Sequence, residues 1–120
     1  MIGIEGFYFT VSDLKRSVDF YEKLLEIKPT NMEGDRWADF YNGEKHFGLL
    51  CDKTINKDRR LGNNGVLNFH SDDIARDFEK AKKLGAKIVE EICDTPDSPY
   101  EYMSFTIEDP DGNRIEIASY

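Results

Sequence analysis

The sequence predicts an α+β fold made of two β-α-β-β-β modules, and two observations support it. One is a repeat: shifting the chain by 60 positions, the distance from Phe9 to Phe69, aligns strand, helix cap and helix in one register. The matched pairs also include Asp13 with Asp73, Leu14 with Ile74, Arg16 with Arg76, Val18 with Phe78, Lys23 with Lys83 and Leu24 with Leu84. The other is the closing stretch 103–117, where two alternating arms flank the turn Asp109-Pro110-Asp111-Gly112.

Module one contains alternating and helical patterns in the order strand, helix and three strands. The predicted elements are a strand over 2–11, a helix over 13–26 and strands over 30–32, 36–41 and 45–50. Ser12 or Asp13 caps the helix, and Pro29 lies just beyond its end. Asn42-Gly43 between two strand-like runs predicts a hairpin turn.

Module two repeats this order after a polar linker at residues 52–65. The predicted elements are a strand over 66–70, a helix over 73–84, a strand over 87–93, and the two arms of the final hairpin. Asp72 or Asp73 caps the helix and Gly85 ends it, and a loop with Pro96 and Pro99 precedes the hairpin. Met103, Phe105 and Ile107 are the predicted core positions of its first arm. We therefore predict a single domain over 1–120, with module one at 1–51 and module two at 66–120.

Composition narrows the functional classes. A formal net charge of −8 and a charged fraction of 33% disfavour nucleic acid and anionic membrane surfaces as partners. No stretch approaches the apolar length of a membrane span, and no secretory leader is recognised. Cys51 and Cys93 form no Cys-x-x-Cys pair. These features predict a cytoplasmic protein.

Three segments together resemble the glyoxalase, bleomycin-resistance and extradiol-dioxygenase group, the vicinal oxygen chelate superfamily. They are Phe9-Thr10-Val11-Ser12-Asp13-Leu14, then Ser17 with Phe20-Tyr21, and the closing Asp109-Pro110-Asp111-Gly112-Asn113-Arg114-Ile115-Glu116-Ile117. The resemblance covers almost the whole chain. One departure follows Leu25, where this family usually has Gly and this chain has Glu26.

The resemblance implies two modules whose sheets curve around a shared cavity, and it implies where metal-dependent relatives hold their ion. Those positions fall on Gly6, Val66 and Glu116, of which only Glu116 is a metal ligand by chemistry. We therefore expect no metal and no other cofactor. A rebuilt metal site from His70, His46 and Glu116 is an alternative, although strand parity leaves the facing of His46 open.

Strand parity also collects a face rich in aromatic and hydrogen-bonding side chains, as concave ligand sites are. The candidate ligand-binding residues are Tyr8, Trp37, Tyr41, Asn68, His70, Tyr102, Ser104, Arg114 and Glu116. The competing interpretation is that Trp37 and Tyr41 cover a dimer interface. Arg114 beside Glu116 is interpreted as a charge pair, and Arg114, Tyr8 and His70 are the predicted partners of Glu116 within the protein.

The leading functional prediction is a metal-free small-molecule binding protein that resembles bleomycin-resistance proteins and forms a homodimer, with its ligand in an aromatic and polar cleft. The alternative is a glyoxalase- or dioxygenase-related enzyme, with relocated metal or none, in which His70 and Glu116 are the candidate acid-base groups. A further alternative is an interaction module that kept the fold and lost the site.

Overall fold

A computed structural model describes residues 6–41, 45–51, 61–62, 66–94 and 101–120. Two compact units divide the chain, Met1–Leu61 and Gly62–Tyr120. The predicted turn at Asn42-Gly43, the loop with Pro96 and Pro99, and most of the predicted linker lie outside the described residues.

Unit one has one helix and a four-stranded sheet. Its elements are β1 (Gly6–Thr10), α1 (Leu14–Leu25), β2 (Asn31–Glu33), β3 (Trp37–Tyr41) and β4 (His46–Leu50). The strand order is β1-β4-β3-β2, with β1 and β4 parallel and the other neighbours antiparallel. Alternate strand residues turn to α1 because side chains along a strand point to opposite faces. The helix buries Tyr21 against Phe47, with the ring centroids 4.8 Å apart.

Unit two repeats this arrangement. Its elements are β5 (Val66–His70), α2 (Ile74–Leu84), β6 (Lys87–Asp94), β7 (Met103–Glu108) and β8 (Arg114–Ser119). The strand order β5-β8-β7-β6 has the same single parallel pair, β5 with β8. Phe105, Ile107 and Ile115 are fully buried in its core. The ring of Phe78 from α2 packs against that of Phe105, with the ring centroids 5.1 Å apart. The predicted α+β class with two β-α-β-β-β modules is therefore confirmed.

Both helices begin at an aspartate cap. The Asp13 carboxylate accepts the backbone N–H of Arg16 at 3.1 Å, and Asp73 accepts that of Arg76 at the same distance. Each bond satisfies an N–H that the first turn of a helix leaves without a partner. The same cap at corresponding positions confirms the register that the repeat predicts.

The helices end differently. Gly85 closes α2 with a φ of 83°, which a residue without a Cβ adopts easily. Glu26 closes α1 with φ 60° and ψ 33°, and its backbone N–H bonds the carbonyl of Glu22 at 2.8 Å. A residue with a Cβ is disfavoured in this left-handed conformation. The departure from the usual glycine therefore places local strain at the end of α1.

The β7–β8 turn is held by Asp109. Its Oδ1 accepts the backbone N–H groups of Asp111 and Asn113 at 2.9 and 2.8 Å, and its Oδ2 accepts the Asn113 amide at 2.9 Å.

Met103 departs from its predicted core position. It is 38% exposed because it is the first residue of β7 and belongs to the end pair of the β7–β8 ladder, Met103 with Ser119.

Candidate functional site

In unit two, three predicted site residues meet at one carboxylate oxygen. Register places Asn68 of β5 directly opposite Glu116 of β8, and Tyr102 lies just before β7 on the other side of β8. The Asn68 amide donates to Glu116 Oε1 at 2.8 Å, and the Tyr102 hydroxyl donates to the same oxygen at 2.5 Å. Among the described residues these two donors use Oε1, and no side chain donates to Oε2. The carboxylate is thus oriented by two donors on one of its oxygens.

The bond to Glu116 changes the acidity of Tyr102. A phenol that donates to a carboxylate holds its proton more tightly, and partial burial and the nearby negative charge act in the same direction. Together they raise the pKa of Tyr102 to about 12. Tyr102 is therefore a neutral hydrogen-bond donor at physiological pH and does not act as a base.

Aromatic rings extend this cluster. Tyr120 stacks on Tyr102, with centroids 5.8 Å apart and planes 10° apart, and the ring of His70 lies 4.9 Å from Tyr120. His70 Nε2 is 3.2 Å from Asp72 Oδ1. The predicted site residue His70 therefore borders the Glu116 cluster through Tyr120.

Two predictions about Glu116 were wrong. Arg114 Nε lies 3.9 Å from Glu108 Oε1, the residue directly opposite it on β7, so the predicted Arg114–Glu116 charge pair does not form. His70 bonds Asp72 and not Glu116. Residues 114 and 116 share a face of β8, but the residue directly opposite Arg114 is Glu108. A directly opposite residue on the neighbouring strand is a closer partner than one two positions along the same strand. Ser104, also predicted as a site residue, lies on this face and is buried at 7% exposure.

In unit one, the indole of Trp37 lies across the backbone of Gly48. A Cβ added to Gly48 would sit 2.2 Å from the indole Cη2 atom, so only glycine leaves room for the ring. Trp37 Nε1 donates to Asp39 Oδ2 at 3.0 Å, and the Asn31 amide donates to Asp39 Oδ1 at 3.0 Å. The ring of Tyr8 stands at 70° to the indole with centroids 5.9 Å apart. Trp37 is thus fixed in one orientation with Tyr8 as a second wall.

The histidine whose facing the sequence left open lies on this same face of the sheet. His46 pairs with Gly6 on one side and with Tyr41 on the other, and the ring centroids of Tyr41 and His46 are 5.4 Å apart. A Cβ on Gly6 would sit 2.8 Å from both Cε1 and Nε2 of His46. The imidazole therefore fills the space where a side chain at position 6 would begin.

These residues do not fit the metal site that the family resemblance implies. Gly6 offers no ligand atom and its side-chain space holds the His46 ring, while Val66 is apolar. Gly48 pairs with Tyr8 as Glu116 pairs with Asn68, so the unit-one counterpart of Glu116 also lacks a ligand atom. In the part of the chain that the structure describes, no three His, Cys, Asp or Glu side chains come together as a metal site. A single carboxylate is a poor substitute for the three protein ligands that a catalytic zinc commonly takes.

The structure groups the predicted site residues into separate clusters. Unit two joins Asn68, Tyr102 and Glu116, and unit one joins Tyr8 with Trp37. Asp39 and Tyr120 were missed as site residues, and His46 was named only for the alternative metal site. The sequence does indicate both missed residues. Asp39 lies two positions after Trp37 and Tyr120 lies four positions after Glu116, so alternation along a strand places each on the face of the earlier residue.

None of the helices in the described residues has the length and apolar character that crossing a membrane requires.

The fold and these two clusters define a protein of paired β-α-β-β-β units, each with a polar and aromatic sheet face opposite its helix. The family model described as Glyoxalase/Bleomycin resistance protein/Dioxygenase superfamily matches residues 3–117. The chain belongs to this superfamily.

The chain is also similar to individual proteins over most of its length. The chain is 31% identical over 114 residues to YwbC of Bacillus subtilis, with 89% of each chain covered. It is 28% identical over 120 residues to virulence protein STM3117 of Salmonella typhimurium, covering 98% of this chain and 83% of that one. A crystal structure of a glyoxalase-related enzyme from Fulvimarina pelagi superposes with a TM-score of 0.81 at 16% identity, covering 100% of this chain and 89% of that one, and this likeness shows the fold alone.

Proposed function

We propose that this protein binds a small organic molecule without a metal ion, in the manner of the bleomycin-resistance branch of its superfamily. The observation that carries the proposal is the state of Glu116. It is the one residue at the three implied metal positions with a ligand atom, and its Oε1 is held by Tyr102 and Asn68. A carboxylate oriented by two neutral donors is suited to receive a hydrogen bond or a positive group from a ligand.

The two side chains that flank Glu116 fit recognition better than proton transfer. Tyr102 has a raised pKa and keeps its proton at physiological pH. Asn68 has no titratable group. The Glu116 cluster therefore offers fixed hydrogen-bonding groups beside the stacked rings of Tyr102 and Tyr120, which is the composition of a ligand site.

The remaining parts of the proposal come from the sequence and the family. We propose that Tyr8, Trp37, Tyr41, His70, Ser104 and Arg114 are also ligand-binding residues, and that the ligand lies in an aromatic and polar cleft. We further propose a single domain, a homodimer and a cytoplasmic location. A net charge of −8 supports a small-molecule partner and not a nucleic acid.

A thermal-shift screen of metabolites and antibiotics in EDTA tests the proposal. A ligand at about 100 times its Kd stabilises the folded state by about 2.7 kcal/mol, which is about 10 °C in melting temperature for a chain of this size. The shift should fall in Glu116→Gln and persist in Glu79→Gln, a control on the exposed surface of α2. Shifts that require added zinc, iron or nickel, or turnover of an oxo-compound by the metal-loaded protein, would move the function to the enzyme alternative.

A further inference from the structure

The Trp37 plate, defined as the indole of Trp37 lying on Gly48 and bonded to Asp39, has a feature that the Glu116 cluster lacks. Asp39 is 7% exposed, and within the described ranges its two side-chain oxygens accept only the neutral N–H groups of Asn31 and Trp37. Among the described residues no Lys, Arg or His side chain contacts this carboxylate. A buried charge with neutral donors alone is incompletely compensated.

In the described strands of unit one, the sheet around the plate has no lysine or arginine that could compensate Asp39. None of the four strands of unit one contains a lysine or an arginine. The nearest guanidinium along the chain, that of Arg36, pairs with Glu33 at 3.2 Å. The face that presents Trp37 and Asp39 therefore has a negative electrostatic potential. The ring face of tryptophan adds to it, because it is the negative side of the ring quadrupole.

The geometry of the plate selects for shape as well as charge. The benzo ring of the indole lies against Gly48, and Asp39 occupies the edge that carries Nε1, which leaves the opposite ring face as the surface for a ligand. Tyr8, 41% exposed, stands at 70° to the indole and closes one side. A flat ring can stack on the indole with its edge against Tyr8, whereas a branched, non-planar group cannot.

We infer that the Trp37 plate is a stacking site for a planar aromatic cation, with the indole as the stacking surface and Asp39 as the counter-charge. This inference rests on the proposed ligand-binding function and specifies the chemical class of the ligand. Gly48 in unit one corresponds to Glu116 in unit two, because Gly48 pairs with Tyr8 as Glu116 pairs with Asn68. The indole of Trp37 lies over Gly48 and so fills the space next to that position. An aromatic surface has thus replaced a potential ligand atom at that position.

The single tryptophan of the chain makes the test specific, because its fluorescence reports on the plate alone. The probes are N-methylquinolinium chloride as a planar cation, 2-naphthalenesulfonate as a planar anion and tetraethylammonium as a non-planar cation. We expect N-methylquinolinium to quench Trp37 along a saturating curve and to bind by calorimetry, and the other two to bind at least about tenfold more weakly.

Three variants assign the binding to the plate. Trp37→Leu and Asp39→Asn should each weaken N-methylquinolinium by about tenfold in calorimetry. Phe7→Leu removes a ring from the opposite face of the same sheet and should leave the affinity unchanged, and circular dichroism checks that each variant is folded.

Linear quenching without a calorimetric signal, equal binding of the anion, or unchanged affinity in Trp37→Leu would overturn the inference. The proposed function fails separately. If library ligands raise the melting temperature through Glu116 while Trp37→Leu has no effect, ligand binding stands and the Trp37 plate does not.

Discussion

The Tyr102 hydroxyl and the Asn68 amide donate to the same oxygen of Glu116, and the Tyr102 bond is the shorter, at 2.5 Å against 2.8 Å. The shared acceptor couples the side chains of three strand regions that lie up to 48 residues apart. The carboxylate is oriented before any ligand arrives, which lowers the entropic cost of binding.

The Tyr102–Glu116 bond predicts a late tyrosine titration. The folded pKa of Tyr102, about 12, exceeds its ordinary value of 10.0, so the folded state retains the proton longer than the unfolded state. The bond therefore stabilises the fold fully below pH 10, and this contribution is lost as pH rises towards about 12.

Absorbance of tyrosinate measures this titration directly. The step assigned to Tyr102 is the difference between the titrations of the unchanged protein and of Tyr102→Phe, and it should lie near pH 12. Tyr102→Phe should remove that step and Glu116→Gln should move it towards pH 10, while Tyr41→Phe should leave it in place. A Tyr102 step near pH 10 in this difference titration would show that the bond is absent in solution.

The contact of Trp37 with Gly48 predicts a strong coupling between the two positions. In Gly48→Ala the new Cβ would lie 2.2 Å from the indole, so the ring must leave its place and lose its bond to Asp39. We expect a loss of about 1–2 kcal/mol in the free energy of unfolding and a red shift of the Trp37 emission.

A double-mutant cycle in urea separates this coupling from general damage. Because Trp37→Leu removes the obstructing ring, the cost of Gly48→Ala should nearly vanish in that background, giving a coupling of about 1–2 kcal/mol. The pair Gly48→Ala with Phe7→Leu is the control and should be additive. Additive losses in both pairs would mean that the indole does not rest on Gly48.

The left-handed end of α1 predicts a stabilising substitution. Glu26 has φ 60°, where a Cβ is strained, so Glu26→Gly should raise the free energy of unfolding by about 0.5–1 kcal/mol. Gly85→Ala makes the opposite change at the end of α2 and should lower it by about 1 kcal/mol. Urea denaturation measures both, and a destabilised Glu26→Gly would show that interactions of the Glu26 side chain outweigh the backbone strain.

Local chemistry explains why the fold was predictable from the sequence. The caps Asp13 and Asp73, the glycine Gly85 and the turn at Asp109 act within a few residues of their own position. The alternation of apolar residues assigns the faces of the strands once their ends are known. Met103 shows the limit, since alternation does not tell how far the core extends along a strand.

The site was less predictable because it depends on the register of parallel strands that are distant in sequence. Nothing near Glu116 indicates that Asn68 lies opposite it, and that pairing decides which partner the carboxylate takes. The facing of His46 likewise follows from its pairing with Gly6 and Tyr41. Arg114 was assigned to Glu116 from spacing alone, although Glu108 across the strand was the nearer partner.

The most direct test of the central claim, ligand binding without a metal ion, is elemental analysis of purified, untagged protein together with its melting temperature in EDTA. Gly6 and Val66 lack ligand atoms and Glu116 Oε1 already accepts two hydrogen bonds, so the protein should carry well under one equivalent of zinc, iron or nickel. Its melting temperature should not change with the chelator. Stoichiometric metal that is lost in Glu116→Ala or His70→Ala would contradict the claim and indicate an enzyme with relocated ligands.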